Sequence, residues 1–290
     1  PDNFNLGLVT TSGSLGLLFA PSLPLILYGI VARVPVDDLF LAGILPGILM
    51  VAILSAWTLW VNRDLRVPIS AFDWKEAKEA LWAARWEIPL PVIVLGGIYG
   101  GVFAVSEAAA VTAAWVMMVE LVILREVSMR RLPGVMRESM MLVGGILLIL
   151  GVSLASTNYM IDAGVPQKLF AIVDGLVSGQ ASFLLLLLVF LLILGAILDI
   201  FSAIVLVVPL ILPVADQYGI DPVHLGIVFL AAMQLGYLTP PVGLNLFIAS
   251  YRFDKSITAV YRATFPFLVM LLVAVVIIAY WPALSLVLVD

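Results

Sequence analysis

The chain has 290 residues, of which 63% are hydrophobic and 11% charged, with a mean hydropathy of +1.20. Soluble domains run at about 45–50% apolar and about 25% charged, so this is a polytopic membrane protein with lipid as the solvent for most of its surface. The formal charge of −5 is spread out without a basic stripe, which argues against a nucleic-acid partner, and the lack of cysteine excludes disulfides and thiolate metal sites.

The first residues carry a phrase that returns later. Leu15-Gly16-Leu17-Leu18-Phe19-Ala20-Pro21 is echoed about 220 positions on by Leu235-Gly236-Tyr237-Leu238-Thr239-Pro240-Pro241. Upstream, Phe4-Asn5-Leu6-Gly7-Leu8-Val9 is echoed by Val223-His224-Leu225-Gly226-Ile227-Val228, and downstream Pro46 is echoed by Pro266. A duplicated apolar segment broken by glycine and proline points to the binding site of a secondary transporter. Such breaks are tolerated in a membrane only where protein or a water-filled cavity surrounds the freed backbone groups. Residues 4–19 and 22–32 are each too short to cross comfortably, since a spanning helix takes about 20 apolar residues. Split at Pro21, they are expected to form the arms of a re-entrant hairpin. Residues 37–62 are one long segment, expected to unwind at Gly43-Ile44-Leu45-Pro46-Gly47.

Residues 63–87 form the most polar stretch. Asp73 is the expected N-cap of a helix in which Trp74, Lys78, Trp82 and Trp86 recur at four-residue steps. Tryptophan beside Lys and Arg suits the headgroup region, either as a horizontal arm linking two parts or as an ordinary interfacial loop helix. Residues 88–124 are long enough for two segments, with Glu107 near the middle, and a basic loop follows with Arg125, Arg130, Arg131 and Arg137. Residues 139–157 span, 168–178 are weakly amphipathic, and the leucine-dense 182–198 span again. Asp199 interrupts before 203–214. A second hairpin is expected over 222–251, broken at Thr239-Pro240-Pro241, and 264–288 close the chain. The fold expected is an all-α polytopic membrane protein with inverted repeats and two re-entrant helical hairpins. Only about 14 residues precede the first phrase, so a complete repeat would place on the order of 130 further residues before Pro1.

The candidate chemistry sits at the two breaks. A helix interrupted inside a membrane exposes N–H groups at one half's start and C=O groups at the other half's end. The former attract anionic substrate groups and the latter Na⁺. The first tip offers Thr10, Thr11, Ser12, Gly13, Ser14 and Ser22; the second offers Gln234, Thr239, Gly243 and Asn245. These neutral oxygens and amides suit a hard, weakly held cation, although Ser, Thr and Gly also mediate close helix packing in lipid. Asp199 is an acid deep in apolar sequence, which marks a functional candidate for charge near a cation or for proton exchange; the plainer reading is a helix cap. Glu107 is read either as a cap or as a paired functional acid. His224, beside Asp221-Pro222 at a helix start, is expected at the surface. One histidine and no cysteine leave little for metal or nucleophilic catalysis, and no Walker-type phosphate loop is present, so the chain is not expected to be an enzyme.

Three longer phrases carry a family resemblance. They are Leu198-Asp199 to Pro209-Leu210-Ile211-Leu212-Pro213, then Tyr218-Gly219-Ile220-Asp221-Pro222, then Leu235 to Pro241-Val242-Gly243-Leu244-Asn245-Leu246-Phe247. Together with Pro21-Ser22-Leu23-Pro24-Leu25-Ile26, Ala42-Gly43-Ile44-Leu45-Pro46-Gly47 and Glu107-Ala108-Ala109-Ala110, the chain resembles the large membrane subunit of tripartite ATP-independent periplasmic (TRAP) transporters. It departs at Ala20-Pro21, where the family has paired prolines, and at Ala104-Val105-Ser106-Glu107, where the family has Thr-Pro-Thr-Glu. The resemblance implies a Na⁺-coupled importer of organic acids such as C4-dicarboxylates or sialic acid. It would sit in the bacterial or archaeal cytoplasmic (inner) membrane, with a small four-helix membrane subunit and a periplasmic binding protein as partners. It implies an elevator in which 1–62 and 199–290 belong to a transport domain, 63–87 is an arm and 88–198 is mainly scaffold. By the same resemblance Ser12, Gly13 and Ser14 with Gly43, Pro46 and Gly47 hold one Na⁺. Gln234 and Thr239 with the Pro266 region hold another, Asp199 is tied to cation coupling, and substrate lies near Ser22, Gly243, Leu244 and Asn245. A stand-alone carboxylate carrier, and a channel or scaffolding subunit, are the competing readings.

Overall fold

The computed structural model describes residues 2–63, 72–175, 177–240 and 243–289. Pro241 and Val242 of the second phrase and residues 64–71 at the head of the arm therefore lie outside the described residues. In chain order the helices are α1 (Asp2–Ser12), α2 (Leu23–Ala32), α3 (Val36–Val61), α4 (Trp74–Ala83), α5 (Pro89–Tyr99), α6 (Val105–Met118) and α7 (Leu132–Asp162). They continue with α8 (Val165–Asp174), α9 (Gln180–Gly195), α10 (Ile200–Gln217), α11 (Pro222–Gly236), α12 (Leu244–Phe253), α13 (Ile257–Tyr280) and α14 (Ala283–Leu286). A 3-10 turn over Leu15–Leu18 lies between α1 and α2, and a π turn over Val119–Ile123 extends α6. Among the described residues, α3, α6 with its π turn, α10 and α13 are long and apolar enough to cross a membrane. The first expected hairpin is an interrupted apolar segment whose halves meet at a bend of 41°.

Local chemistry explains many of the boundaries. Pro24 enters α2 in its first turn, where a missing N–H costs nothing, and Arg33 ends it in the left-handed conformation with its N–H donated to the Gly29 carbonyl. Asp73 caps α4 as the sequence predicts, its carboxylate accepting the Lys75 N–H at 2.8 Å. Glu107 caps α6 by accepting the Ala104 N–H at 2.9 Å; alanine has no acceptor to return the bond, so only half of a capping box forms.

The expected unwinding of α3 at Gly43-Ile44-Leu45-Pro46-Gly47 does not occur. Both α3 and α13 run as continuous helices through Pro46 and Pro266, with no unwound loop at residues 43–47. A proline removes a single N–H from the ladder, and the turns on either side retain theirs. At Gly43 and Gly47, on either side of Pro46, the neighbouring chain fills the space beside the helix.

The chain divides into two compact units, residues 63–147 and residues 1–62 with 148–290. In the smaller unit α5 packs on α6, and the Trp115 indole donates to the Trp86 carbonyl at 3.0 Å. In the larger unit the packing follows the sequence repeat. Helix α1 lies on α13 as α11 lies on α3; α1 touches α12 as α11 touches α2; α2 packs on α3 as α12 packs on α13; and α3 meets α13 between them. This is the exchange pattern expected when α1, α2 and α3 correspond to α11, α12 and α13. Helix α11 is the centre of the unit, with residues 223–236 all buried. It is surrounded by α2, α3, α9, α10, α13 and α14.

His224 departs from its expected surface position. It is 2% exposed, with Nδ1 3.2 Å from the Ser285 hydroxyl and Nε2 3.2 Å from the Ala279 carbonyl. The ends of α13 and α14, more than fifty residues further on, close over the start of α11. Sequence near Asp221 and Pro222 contains no sign of that cover. Tyr28 from α2 completes the corner by donating to the Pro222 carbonyl at 2.7 Å.

Candidate functional site

The first break is built from hydroxyls that bond back to their own helix. Thr10 donates to the Leu6 carbonyl at 2.7 Å, Ser12 to Val9 at 3.3 Å and Ser14 to Thr11 at 3.0 Å. Gly13 ends α1, and Leu17 and Phe19 tighten the chain into the 3-10 turn through the carbonyls of Ser14 and Gly16. Ser22, at the N-cap of α2, donates to the Leu17 carbonyl at 2.6 Å and so ties the two halves together. Thr11 is fully buried and its hydroxyl has no hydrogen-bond partner. Such an oxygen costs about 1–3 kcal/mol unless something occupies it.

The turn rests directly on α3. The Leu18 carbonyl lies so close to Gly43 that any side chain there would collide with it. A methyl on Gly47 would stand 2.7 Å from the Phe19 ring. Pro46, buried between these glycines, has no N–H to give the Ala42 carbonyl. The structure therefore sets the first break against Gly43 and Gly47, on either side of the buried Pro46, through Leu18 and Phe19. Ser12 instead opens on a hollow of about 370 Å³ further along α3, lined by Val51, Ser55 and Thr58 among others. Ser12 thus sits beside a different part of that helix.

At the second break the acceptors are backbone carbonyls. Thr239 bonds back to the Leu235 carbonyl at 2.9 Å, and its own carbonyl and that of Tyr237 turn toward Gly243. Gly243 adopts the left-handed conformation (φ 54°), which a side chain would strain and which Thr239 and Tyr237 leave no room for. Helix α12 starts there, and Leu246 N–H bonds to the Gly243 carbonyl at 2.8 Å. Leu244 is exposed and Asn245 half-buried at this start. Pro266 lies on an exposed position of α13, unlike the buried Pro46. Gln234, one turn before the break, is fully buried; its Nε2 lies 4.0 Å from the Met50 sulfur and its Oε1 has no hydrogen-bond partner.

Residues 43–50 of α3 are where the two breaks converge. Leu18 and Phe19 reach Gly43 and Gly47 from the first, and Gln234 reaches Met50 from the second. The 3-10 turn also packs on α11 itself. Asp199 belongs to the same neighbourhood. It is the exposed N-cap of α10, accepting the N–H groups of Phe201 and Ser202 at 3.0 Å and the Ser202 hydroxyl. The Tyr237 hydroxyl accepts the next free donor, Ile200 N–H, at 2.9 Å. Four residues before Asp199, Gly195 packs backbone to backbone against Gly236, so the α9–α10 break docks on the second break. Among the described residues, no group of three or more His, Asp or Glu side chains could hold a metal ion. The oxygens that converge are neutral.

The sequence pattern of the family described as "Tripartite ATP-independent periplasmic transporter, DctM component" matches residues 1–284. The chain belongs to this family. Among curated relatives of the DctM component, the C4-dicarboxylate TRAP transporter large permease protein DctM of Pseudomonas aeruginosa is 36% identical over 99% of this chain and 67% of its own length. The isethionate TRAP transporter permease protein DctMQ of Oleidesulfovibrio alaskensis is 32% identical over 97% of this chain and 45% of that protein. The ectoine/5-hydroxyectoine TRAP transporter large permease protein UehC of Ruegeria pomeroyi is 30% identical over all of this chain and 68% of that protein. The DctM component is a multi-pass inner-membrane protein whose work is transport rather than catalysis.

Thr58, Met50 and Tyr237 belong to the site but carry no motif in the sequence that marks them. Thr58 also carries a buried hydroxyl without a hydrogen-bond partner. Its spacing from Val51 and Leu54 along one face of α3 is a periodic signal, but only the fold shows that Ser12 meets that face. Tyr237 lies inside the repeated phrase, opposite Leu17, and an aromatic hydroxyl replacing an aliphatic side chain between two otherwise similar copies was the available clue.

Proposed function

We propose that this chain is the permease subunit of a Na⁺-coupled secondary transporter that imports organic acids, of the C4-dicarboxylate or sialic-acid type, delivered by a periplasmic binding protein. A small four-helix membrane subunit is its partner. The observation that carries this reading is the convergence of both helix breaks on residues 43–50 of α3, with neutral oxygens left unbonded in the protein interior. Hard cations take carbonyl and hydroxyl oxygens, and half-helix C-terminal ends in transporters supply them. Thr11 with the Leu18 and Ala42 carbonyls serves one Na⁺, near Ser14, Gly43, Pro46 and Gly47. Gln234 with the carbonyls around Gly243, beside Thr239, serves another. Asp199 adds a negative charge next to the second break.

The acid is held by the N–H groups of Leu244 and Asn245, which open α12 and have no intrahelical partner, with Ser22 facing from the other tip. The names of two relatives support an anionic cargo, a C4-dicarboxylate and isethionate, while a third is named for ectoine. In this reading the two breaks are tips of re-entrant hairpins in inverted repeats. Residues 1–62 and 199–290 move as an elevator, residues 63–87 are an arm, and residues 88–198 are mainly scaffold. The test is uptake of labelled organic acids into proteoliposomes containing the full-length permease and its small subunit, with binding protein outside. Accumulation against a gradient with Na⁺, lost when choline replaces it, is the expected result. Equilibration without accumulation would mean a channel, and undiminished uptake without binding protein would mean a stand-alone carrier.

A further inference from the structure

The corner between α4 and α5 carries an arrangement that transport at the helix breaks does not use. Arg85 follows α4, and its guanidinium lies over the Trp82 ring at 4.5 Å from the ring centre and over Trp86 at 5.4 Å, while Nη1 donates to the Trp82 carbonyl at 2.7 Å. Trp86 is itself held by Trp115, whose ring centre is 6.3 Å away and whose indole N–H binds the Trp86 carbonyl. The arginine is therefore positioned rather than trailing in solvent. Beside it a hollow of about 590 Å³ is lined by Lys78, Leu81, Trp82, Arg85, Ile88 and Pro89.

This lining combines two cations, no acid and an apolar floor. Trp74, Lys78, Leu81 and Trp82 share one face of α4 at three- and four-residue steps, while Glu76 and Glu79 fall toward the other side. Glu79 lines the adjoining hollow with Lys75, and Lys78 and Trp82 border both hollows, so Arg85 is the cation set apart from the acid. Trp74, Leu81 and Trp82 are all at least 65% exposed. The apolar floor continues from Ile88 onto exposed Val92 of α5. Guanidinium groups recognise phosphate through paired N–H donors, and basic residues at a bilayer surface attract anionic headgroups. A zwitterionic lipid would bring its ammonium against the same two cations.

We propose that Lys78 and Arg85, framed by Trp82, form a binding site for the phosphate of an anionic phospholipid such as phosphatidylglycerol, with an acyl chain lying along Ile88, Pro89 and Val92. The site anchors the α4–α5 corner in the bilayer. The experiment is native mass spectrometry of the full-length permease with its small subunit, titrated with phosphatidylglycerol or phosphatidylcholine. Near a membrane surface a basic residue contributes about fivefold in affinity, so two predict a preference for phosphatidylglycerol of roughly twenty-five-fold. K78Q/R85Q should lose that preference, K78R/R85K should keep most of it, and K255Q, on a basic residue outside the hollow, should leave it unchanged. Thermal melting of each variant checks that it is folded. Equal binding of the two lipids by the unaltered protein overturns the proposal, as does a preference that survives K78Q/R85Q or falls equally in K255Q. A preference seen only when the small subunit is removed would mean that protein, not lipid, covers the hollow, and overturns it too.

Discussion

Gly236→Ala is the sharpest probe of how the second break is held. A Cβ at this position would stand 2.5 Å from the Gly195 carbonyl carbon, with the Gly195 Cα nearer still, where ordinary contact begins at 3.4 Å. Both neighbours are backbone and cannot rotate away, so α9 and α11 must part by about 1 Å. Overpacking of this kind costs typically 1–3 kcal/mol. Replacing glycine by alanine in a helix returns up to about 1 kcal/mol, less at this terminal position. The net expectation is a loss of about 1–2 kcal/mol, or several degrees in melting temperature for a unit of this size. Gly195→Ala should be milder, since its nearest new contact is the Gly236 Cα at 3.0 Å. The assay is thermal unfolding of the purified full-length protein in one detergent, followed by uptake in proteoliposomes. Parting the helices also draws Tyr237 away from Ile200, so uptake should fall with stability. A Gly236→Ala protein that melts with the unaltered one and transports normally would refute the close approach.

Three further outcomes separate structure from function. Gln234→Leu removes a buried oxygen that has no partner, so stability should hold or rise, by up to about 1–3 kcal/mol, while Na⁺-dependent uptake falls at least tenfold; a fully active variant would remove Gln234 from the cation path. Asp199→Asn keeps an acceptor for the Phe201 and Ser202 N–H groups, whereas Asp199→Ala loses the cap at about 1 kcal/mol. Both should lose Na⁺-driven uptake, and normal transport by Asp199→Asn would reduce Asp199 to a cap. Gly43→Ala drives a methyl into the Leu18 carbonyl, and should raise the Na⁺ concentration needed for half-maximal uptake severalfold; an unchanged Na⁺ dependence would show that the first break does not depend on its seat on α3.

Local chemistry was legible in the sequence where a few adjacent residues decide the outcome. Asp73 and Glu107 cap the helices they precede or begin, and the repeated phrases fall at the ends of α1 and α11, where glycine and proline cannot continue a helix. The correspondence of Leu15 with Leu235 and of Pro46 with Pro266 reappears as reciprocal packing. What the sequence misjudged depends on long-range contacts. Pro46 reads as a break, yet the helix persists through it while the first break packs on Gly43 and Gly47 at either side. His224 reads as a surface group because its cover arrives from Ala279 and Ser285. Ser12 reads as a neighbour of Gly43, but at the end of α1 it shares a hollow with Ser55 and Thr58. Periodicity tells which residues share a face, not which face of another helix they meet.

The complete burial of residues 223–236 has a mechanical consequence. At 15 residues α11 is about 22 Å long, short of the roughly 30 Å hydrocarbon core, so it could not rest in lipid with its ends satisfied. Its neighbours α2, α3, α9, α10 and α13 are thus its solvent as well as its support. Displacing α11 alone would expose that entire cylinder at once, including Gln234. Any excursion that carries the second break across the membrane must therefore take this shell along, including α9 from the end of the otherwise mainly scaffold stretch 88–198, which sets a lower bound on the mass that moves in one piece.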